Sequence, residues 1–439
     1  MNRTPTYVAV LATALVLSVG GALGLAGGAP TDSGATTGPA ATPAVAPAGT
    51  SQSLDETITA LQDRLRRLPE DDSAWATLAL AYVEQARLTG DPSYYPKAEQ
   101  AVATSLDLRP GGNVAAHSSA AALAAARHDF DEALGEADRA LAIAPRDGNA
   151  LAVRVDALTE LGRYAEQERA VRRADRLQPG LPVAARYSYV EELRGDLTGA
   201  TRVLERSLAS ASMADRAFLS TQIAELERRR GLLGRAERSL AEARRAGPDY
   251  FAAEVSRARL AVAQGDLTVA ERRWAGVVRR VPLPEYLLEL GEIQLVRGRT
   301  AAADQQFSVI RTTTRLFDAS GVNTDLETAI FEADHGSPAR ALRMARAEWS
   351  ARQSIHVADA LAWALHVNGR DAKALELSRR ATRLGTQEAR LWMHRGLIEA
   401  ALGRAAEARR HLRRGLAADP GVSPWQAAQA RDALQRLDR

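Results

Sequence analysis

The sequence predicts an all-α protein, a right-handed α-solenoid of about ten helix–turn–helix units with a capping helix at each end. A phrase of close to 34 residues recurs between Ala98 and Ala408. Within it, a small residue returns early in each second helix, and most units carry a glycine five positions before that residue. A fixed period of this length is typical of stacked helical repeats, in which each unit buries its apolar face only against its neighbours.

Three kinds of residue mark the units. The small residue is Gln167 in one unit and alanine in the others, namely Ala98, Ala133, Ala200, Ala236, Ala270, Ala303, Ala341, Ala374 and Ala408. The turn glycines are Gly162, Gly195, Gly231, Gly265, Gly298, Gly336, Gly369 and Gly403. Many units close at a proline, namely Pro110, Pro145, Pro179, Pro248, Pro282 or Pro420. Glycine accommodates the left-handed residue that ends a helix, and proline prevents the helix from continuing.

The composition agrees with close-packed helices. Hydrophobic residues make up 46% of the 439 residues but aromatic residues only 5%, so the interior is built mainly from Ala, Leu and Val. The net charge is only +3, and Lys97 and Lys373 are the two lysines in an arginine-rich chain. This usage indicates a high-GC, actinobacterial-like genome, and the scattered basic residues predict no nucleic-acid partner. The absence of cysteine excludes disulfides, thiolate catalysis, Cys-based zinc sites and a lipoprotein anchor.

Residues 1–29 are predicted to be a signal peptide or an N-terminal membrane anchor. Arg3 precedes an apolar stretch at residues 8–19, and Gly24 and Ala26 supply small residues for cleavage. If it is not cleaved, the apolar run is long enough to span a bilayer. Both interpretations predict an extracytoplasmic protein, secreted or anchored to the cell membrane, that meets the membrane only through this segment. The alternative is a cytosolic protein with an apolar start.

Residues 30–53 are predicted to be a disordered Ala/Pro/Thr-rich linker, because they carry one charge and few side chains that could form a core. The solenoid is expected over residues 54–439. Its first capping helix is predicted at residues 54–69, where Ile58, Leu61, Leu65 and Leu68 fall on one helix face.

The first full unit opens with Trp75, Leu78, Ala79 and Tyr82. With this W-x2-L-A-x2-Y spacing the chain resembles the tetratricopeptide-repeat family, although a turn-rich stretch at residues 89–96 lengthens the unit. The resemblance implies an inner wall lined by the first helix of each pair, with a groove that takes extended peptides or helices. It also implies a non-catalytic scaffold for a protein or peptide partner.

The C-terminal end has two further features. Residues 312–323 add four residues between two units and are expected to bend the stack at Ser320 and Gly321. A final capping helix is predicted at residues 424–437, with Ser423 as its N-cap and Pro424 at its first position. Its polar outer face is expected to consist of Arg431, Asp432, Gln435, Arg436 and Asp438.

No motif in the sequence indicates catalysis. There is no glycine fingerprint and no phosphate loop, so no enzyme activity, catalytic residue or cofactor is predicted. The string Arg194, Gly195 and Asp196 matches an adhesion tripeptide, but it occupies an inter-helix turn. No metal site is predicted either, because His356 and His366 are ten residues apart on one helix, whereas metal ligands on a helix usually lie three or four apart.

The phase of the turn glycines predicts which residues face the groove. The wall is expected to change from small residues near the start, through a mixed and partly basic middle, to an acidic part that includes Glu285, and then to a part with His356 and other bulky or polar residues. We predict that a partner contacts the C-terminal third, at Glu289, Glu292, Glu327, Asp359, Trp363, His366, Met393 and His394. Acidic residues would attract a basic segment, and buried aromatic anchors dominate interface energetics.

Two alternatives stay open at this stage. Trp363 could pack against the neighbouring unit instead of contacting a partner. The protein could also be a receptor for a small ligand or metal that uses the His- and Trp-rich end of the groove, and an enzyme would require a polar pocket with perturbed titrating groups.

Overall fold

The computed structural model describes residues 51–89, 91, 93–319, 325–419 and 421–439. All regular secondary structure within these ranges is helical, in 22 helices. The capping helices are α1 (Ser51–Arg67) and α22 (Pro424–Leu437). The others form successive pairs: α2 (Asp72–Thr89) with α3 (Tyr94–Leu108), α4 (Val114–Ala126) with α5 (Phe130–Ile143), α6 (Gly148–Glu160) with α7 (Tyr164–Leu177), α8 (Leu181–Leu193) with α9 (Leu197–Leu208), α10 (Met213–Arg229) with α11 (Leu233–Ala246), α12 (Phe251–Ala263) with α13 (Leu267–Arg280), α14 (Pro284–Val296) with α15 (Thr300–Ala319), α16 (Asp325–His335) with α17 (Pro338–Ala351), α18 (Ile355–His366) with α19 (Asp371–Ala381), and α20 (Ala389–Ala401) with α21 (Ala405–Ala418).

The first helices of successive pairs line one side of the stack. Helix α4 packs against α6 and α6 against α8, while each first helix also packs against its own second helix. The predicted α-solenoid of helix–turn–helix units is therefore confirmed. Its core is a chain of neighbouring apolar clusters rather than a single centre.

The small anchor residues lie where the helices cross. All nine anchor alanines have no exposed surface. Gln167, which replaces alanine in the third pair, is equally buried, and its side-chain amide donates to the Thr159 hydroxyl at 2.6 Å. The polar exception is thus accommodated by a hydrogen bond inside its own unit, which offsets part of the cost of burying an amide.

The turn positions follow the sequence prediction with two exceptions. Seven of the eight predicted turn glycines have φ between +69° and +81°, the left-handed conformation that side chains rarely adopt. Gly336 is the exception among them, since its φ is not positive. In the second pair, which lacks a glycine, His128 takes φ +64° at the equivalent position. Helices α3, α5, α7, α11 and α13 each end two residues before a predicted closing proline.

The irregular segments are more helical than the sequence suggests. Helix α2 extends to Thr89 and takes up much of the extra length of the first unit. Helix α15 continues to Ala319, so most of the predicted bend segment is helix, while Ser320 and Gly321 lie outside the described residues. Leu68, expected on the buried face of the first capping helix, is 53% exposed because α1 ends at Arg67.

The predicted location of the protein requires a correction. No helix within the described ranges is long and apolar enough to cross a membrane. Residues 1–29, interpreted from the sequence as a signal peptide or membrane anchor, lie outside the described residues, as does the linker up to residue 50. The prediction of an extracytoplasmic protein, secreted or anchored by its N-terminal segment, is wrong by this finding and is withdrawn.

Enlarging an anchor alanine is expected to destabilise the stack. Ala236→Leu and Ala270→Leu place a large side chain at a fully buried helix crossing, which typically costs about 1–3 kcal/mol through overpacking. Glu289→Gln serves as the comparison, because the Glu289 side chain is 29% exposed and the change conserves its volume. Urea denaturation followed by circular dichroism measures the midpoints. A midpoint lowered more by Glu289→Gln than by the alanine substitutions would contradict the packing assignment.

Candidate functional site

The candidate site is the inner groove of the solenoid, and successive turns of the superhelix close it. The turn of the third pair, at Gly162, meets the segment before α18, and the turn of the fourth pair, at Gly195, meets the segment before α20. A Cβ atom on Gly162 would lie 2.4 Å from the carbonyl oxygen of Gln353, and one on Gly195 would lie 2.6 Å from that of Gly385. The two glycines are therefore needed for close backbone contact between turns, in addition to their left-handed φ.

A buried ion cluster fixes the first of these contacts. The Arg352 guanidinium donates to Glu160 at 2.7 Å and to Glu348 at 2.6 Å, and all three side chains are at most 3% exposed. Next to it, the Ile355 backbone N–H donates to the Tyr164 hydroxyl at 2.7 Å. Because Glu160 and Tyr164 belong to the third pair and Ile355 begins α18, these bonds join segments about half the chain apart.

A second polar contact lies one pair further along. The Tyr189 hydroxyl on α8 is 3.0 Å from Nε2 of His356, whose Nδ1 is 3.4 Å from the carboxylate of Glu388. Burial alone would raise the pKa of Glu388, but His356 and Arg229 outweigh burial and hold this pKa at about 2. Glu388 is therefore ionised at neutral pH. Its charge is part of the polar contact that joins α8, through Tyr189, to His356 of α18 in the next superhelical turn.

The third contact involves the end of the solenoid. Arg228 on α10 pairs with Asp419 after α21 at 2.5 Å. Helix α22 then packs against α14, where the Ser423 hydroxyl donates to Glu292. The Trp425 ring lies 4.5 Å from the ring of His335 on α16. The chain's own C-terminal units thus occupy the inner side of the middle units.

Most of the predicted partner-contacting residues lie inside this closed groove. Among the eight, the exposed fraction is at most 5% for Glu292, Asp359, Trp363, Met393 and His394. Glu289, Glu327 and His366 are partly exposed. The position of these residues relative to the turn glycines places most of them on the inner side, as the sequence predicts. The five buried side chains are covered by contacts with neighbouring units and with the next superhelical turn.

Trp363 is held by neighbouring units. Its ring stacks on His394 with 4.1 Å between ring centres and 3° between ring planes, and its indole N–H donates to Asp334 at 2.7 Å. Asp359 accepts from Nδ1 of His394 at 3.0 Å. Met393 belongs to an apolar cluster with Leu412 and residues of α22. Trp363 therefore packs against neighbouring units, which was the alternative to its being an anchor for a partner. Contact of a partner with these residues stays a prediction.

The acidic part of the wall is less charged than its composition suggests. Burial raises the pKa of Glu289 to about 7, although Arg259 and Arg228 oppose this rise. Burial likewise raises the pKa of Glu327 to about 7, against the effect of Arg352. Near neutral pH both groups are therefore partly protonated. The electrostatic attraction for a basic segment is correspondingly weaker than four ionised glutamates would give.

The histidines considered as metal ligands do not converge. His356 contacts Tyr189 and Glu388, whereas His366 lies 2.5 Å from Asp371, the first residue of α19 in its own pair. Perturbed carboxyl groups do exist in the array, at Glu289 and Glu327. A cavity of about 240 Å³ lies elsewhere, between α5, α6 and α7. The cavity and the perturbed groups therefore do not form one site.

The comparisons with known proteins agree with this architecture. Residues 255–311 and 360–423 match a tetratricopeptide repeat family. These two stretches of the chain are similar to tetratricopeptide repeats. The matched regions cover parts of the array from α12 to α15 and from α18 to α21. Tetratricopeptide repeats typically mediate protein–protein interaction, and the fold is generally a non-enzymatic scaffold.

Solved structures resemble the array at low identity. A tetratricopeptide repeat protein from Parabacteroides merdae is 19% identical with a TM-score of 0.35, over 58% of this chain and 98% of that one. The pilF protein of Pseudomonas aeruginosa is 20% identical with a TM-score of 0.38, over 49% and 94%. The human IFIT1 dimer with m7Gppp-AAAA is 14% identical with a TM-score of 0.46, over 76% of this chain and 77% of that one. No protein with a curated description matches the chain significantly. At identities this low, the ligands and partners of those proteins cannot be assigned to this chain.

Proposed function

We propose that the protein is a non-catalytic scaffold that binds a protein or peptide segment in its inner groove. The segment gains access when the contacts between successive superhelical turns open. The observation that carries this proposal is the closure itself, since Arg352, His356 and Asp419 of the C-terminal half pair with residues on the inner side of the middle units. In the closed state the C-terminal half of the chain covers this surface, so a partner cannot bind tightly to it until the contacts open.

The way in which α22 docks supports a helical or extended occupant. This helix contacts α14 through the Ser423 hydroxyl on Glu292, and α16 through Trp425 beside His335. Its opposite face carries exposed Arg431 and other polar residues. The inner side of α14 and α16 is thus shaped to receive one face of a helix, which is a recurrent mode of peptide recognition.

The predicted partner-contacting residues then divide into two groups. Glu289, Glu327 and His366 are reachable in the closed state and would meet a partner first. Asp359, Trp363, His394, Met393 and Glu292 become available only when neighbouring units separate. Because opening costs free energy, apparent affinity is expected to fall with the fraction of closed molecules.

Site-specific photo-crosslinking in cells that make the protein tests the proposal. A photoreactive residue replaces Glu289 on the groove wall or, as a control, Val309, which is 44% exposed on the second helix of its pair. Each probe is placed in the wild-type chain, in the Gly195→Ala variant and in Gly265→Ala. Gly195→Ala adds a clash between turns, whereas a Cβ at Gly265 meets nothing within 4 Å.

We expect one protein to crosslink at the Glu289 position and its yield to rise at least several-fold in Gly195→Ala but not in Gly265→Ala. The Val309 probe should not capture it. Equal yields from both probes would place the interaction on the outer surface. A yield that Gly195→Ala leaves unchanged would show that binding does not require opening.

A further inference from the structure

Three side chains from two first helices meet at the point where α22 closes the groove. Glu292 of α14 and Asp334 and His335 of α16 each offer one ligand atom, and these atoms lie within 4.8 Å of one another. The Glu292 and His335 side chains are 4% and 6% exposed, and Nε2 of His335 is 3.0 Å from Glu292. Two carboxylates and an imidazole from two first helices therefore come together at a spacing that suits a shared metal ion.

Two buried polar atoms beside this cluster lack a hydrogen-bond partner among the described residues. One is Oδ2 of Asp334, whose other oxygen accepts from the Trp363 indole. The other is Nε2 of His394, a residue that is 2% exposed. Trp363 stacks on His394 and donates to Asp334, so both atoms lie around the same indole. Leaving such atoms unpaired is costly, which indicates a missing partner.

The charges around Asp334 favour a cation. Two carboxylates, those of Glu292 and Asp334, lie with one imidazole so that their ligand atoms are within 4.8 Å of one another. A bound cation would compensate the two acidic groups.

We propose that Glu292, Asp334 and His335 bind a divalent transition-metal ion of the zinc type. Carboxylate oxygens with imidazole nitrogen are a ligand set that suits zinc and related ions, whereas calcium and magnesium prefer oxygen alone. A metal-bound His335 must be neutral, so its observed hydrogen bond with Glu292 is exchanged for one bond from each side chain to the metal.

This set differs from the histidines that the sequence brings to attention. His356 and His366 share one helix but turn to other partners, while the carboxylates of the cluster come from helices more than 20 residues away from either. Glu292 also accepts from Ser423 at the start of α22. Metal binding at Glu292 is therefore expected to change how firmly α22 is held against α14, and with it the closure of the groove.

Calorimetric titration of the full chain, first stripped with a chelator, tests the site with zinc chloride. Cobalt chloride provides a second probe through its visible absorption. We expect one ion per chain and a raised melting temperature in zinc, since a ligand that binds only the folded state stabilises it. Affinity should weaken as the pH falls from 7.5 to 5.5, because protons compete for the histidine and carboxylate ligands.

Conservative variants locate the ion. Asp334→Asn keeps an oxygen for the Trp363 indole, and His335→Gln keeps a hydrogen-bonding side chain. Each is expected to weaken zinc binding by more than the roughly 10–100-fold that loss of an outer partner costs. The matched controls are Asp138→Asn, which is exposed on α5, and His117→Gln, which pairs with Glu136 on another part of the array.

Three results would overturn the proposal. The first is the absence of stoichiometric zinc or cobalt binding by the wild-type chain, which needs no variant. The second is unchanged affinity in Asp334→Asn and His335→Gln chains whose circular dichroism is native. The third is an equal loss in the Asp138→Asn and His117→Gln controls.

Discussion

Arg352→Met is expected to destabilise the contact between superhelical turns by about 3–5 kcal/mol, the usual cost of removing one partner from a buried ion cluster. The variant takes the guanidinium away from Glu160, which remains 2% exposed in the closed structure, and removes one partner from Glu348. Methionine fills much of the space of the arginine stem, so the loss arises from uncompensated charge more than from a cavity. We expect the closed groove to open locally before the units themselves unfold.

Hydrogen exchange measures this effect where it arises. The Ile355 amide, which donates to the Tyr164 hydroxyl across the contact, should exchange much faster in Arg352→Met. A global unfolding free energy is less informative, because repeat arrays often unfold in several steps. The amides of the first capping helix, at the far end of the stack, should keep their protection.

Two companion variants show that charge is the cause. Adding Glu160→Gln and Glu348→Gln to Arg352→Met removes the two carboxylates that pair with Arg352 and should restore much of the protection. As a control, Arg66→Met breaks an exposed ion pair with Asp63 and should cost only about 0–1 kcal/mol. Protection of Ile355 that survives in Arg352→Met would contradict a closing role for the cluster.

The repeat architecture was accessible from the sequence because its determinants are local. The anchor Ala270 and the turn glycine Gly265 lie within one unit, and their spacing alone sets where the two helices cross and where the first one ends. His128 shows the limit of that inference. Its left-handed φ completes the second pair, but a histidine carries no strong signal for this conformation.

The closure of the groove could not be predicted in the same way. Arg352 and Glu160 are 192 residues apart, and Arg228 and Asp419 are 191 apart. Periodicity predicts which face of a helix points inwards, yet it does not say whether another superhelical turn covers that face. The sequence therefore predicts Trp363 on the wall and leaves open whether it contacts a partner or packs against the neighbouring unit. The Glu292 cluster escaped notice for the same reason, because its members become adjacent only through packing.

Gly162→Ala is expected to open the closure because the substitution meets two obstacles at once. Alanine at φ +71° costs about 1–2 kcal/mol in backbone strain. Its Cβ would also lie 2.4 Å from the Gln353 carbonyl oxygen, a backbone atom that no side-chain rotation can move aside. The turns must therefore separate, and the nearby Glu160–Arg352 pair should loosen with them.

A matched set of glycines separates strain from contact between turns. Gly265→Ala and Gly298→Ala impose the same left-handed strain, at φ +79° and +73°, but their Cβ atoms meet nothing within 4 Å. We expect all three variants to lower the thermal midpoint, and only Gly162→Ala to increase the radius of gyration in small-angle X-ray scattering and to expose the segment before α18 to hydrogen exchange. Equal radii of gyration for Gly162→Ala and Gly265→Ala would mean that the contact between Gly162 and Gln353 rearranges without opening the groove. An increase confined to Gly162→Ala would identify the glycine turns of the middle units as the surfaces that hold successive superhelical turns together, since backbone contact this close tolerates no side chain.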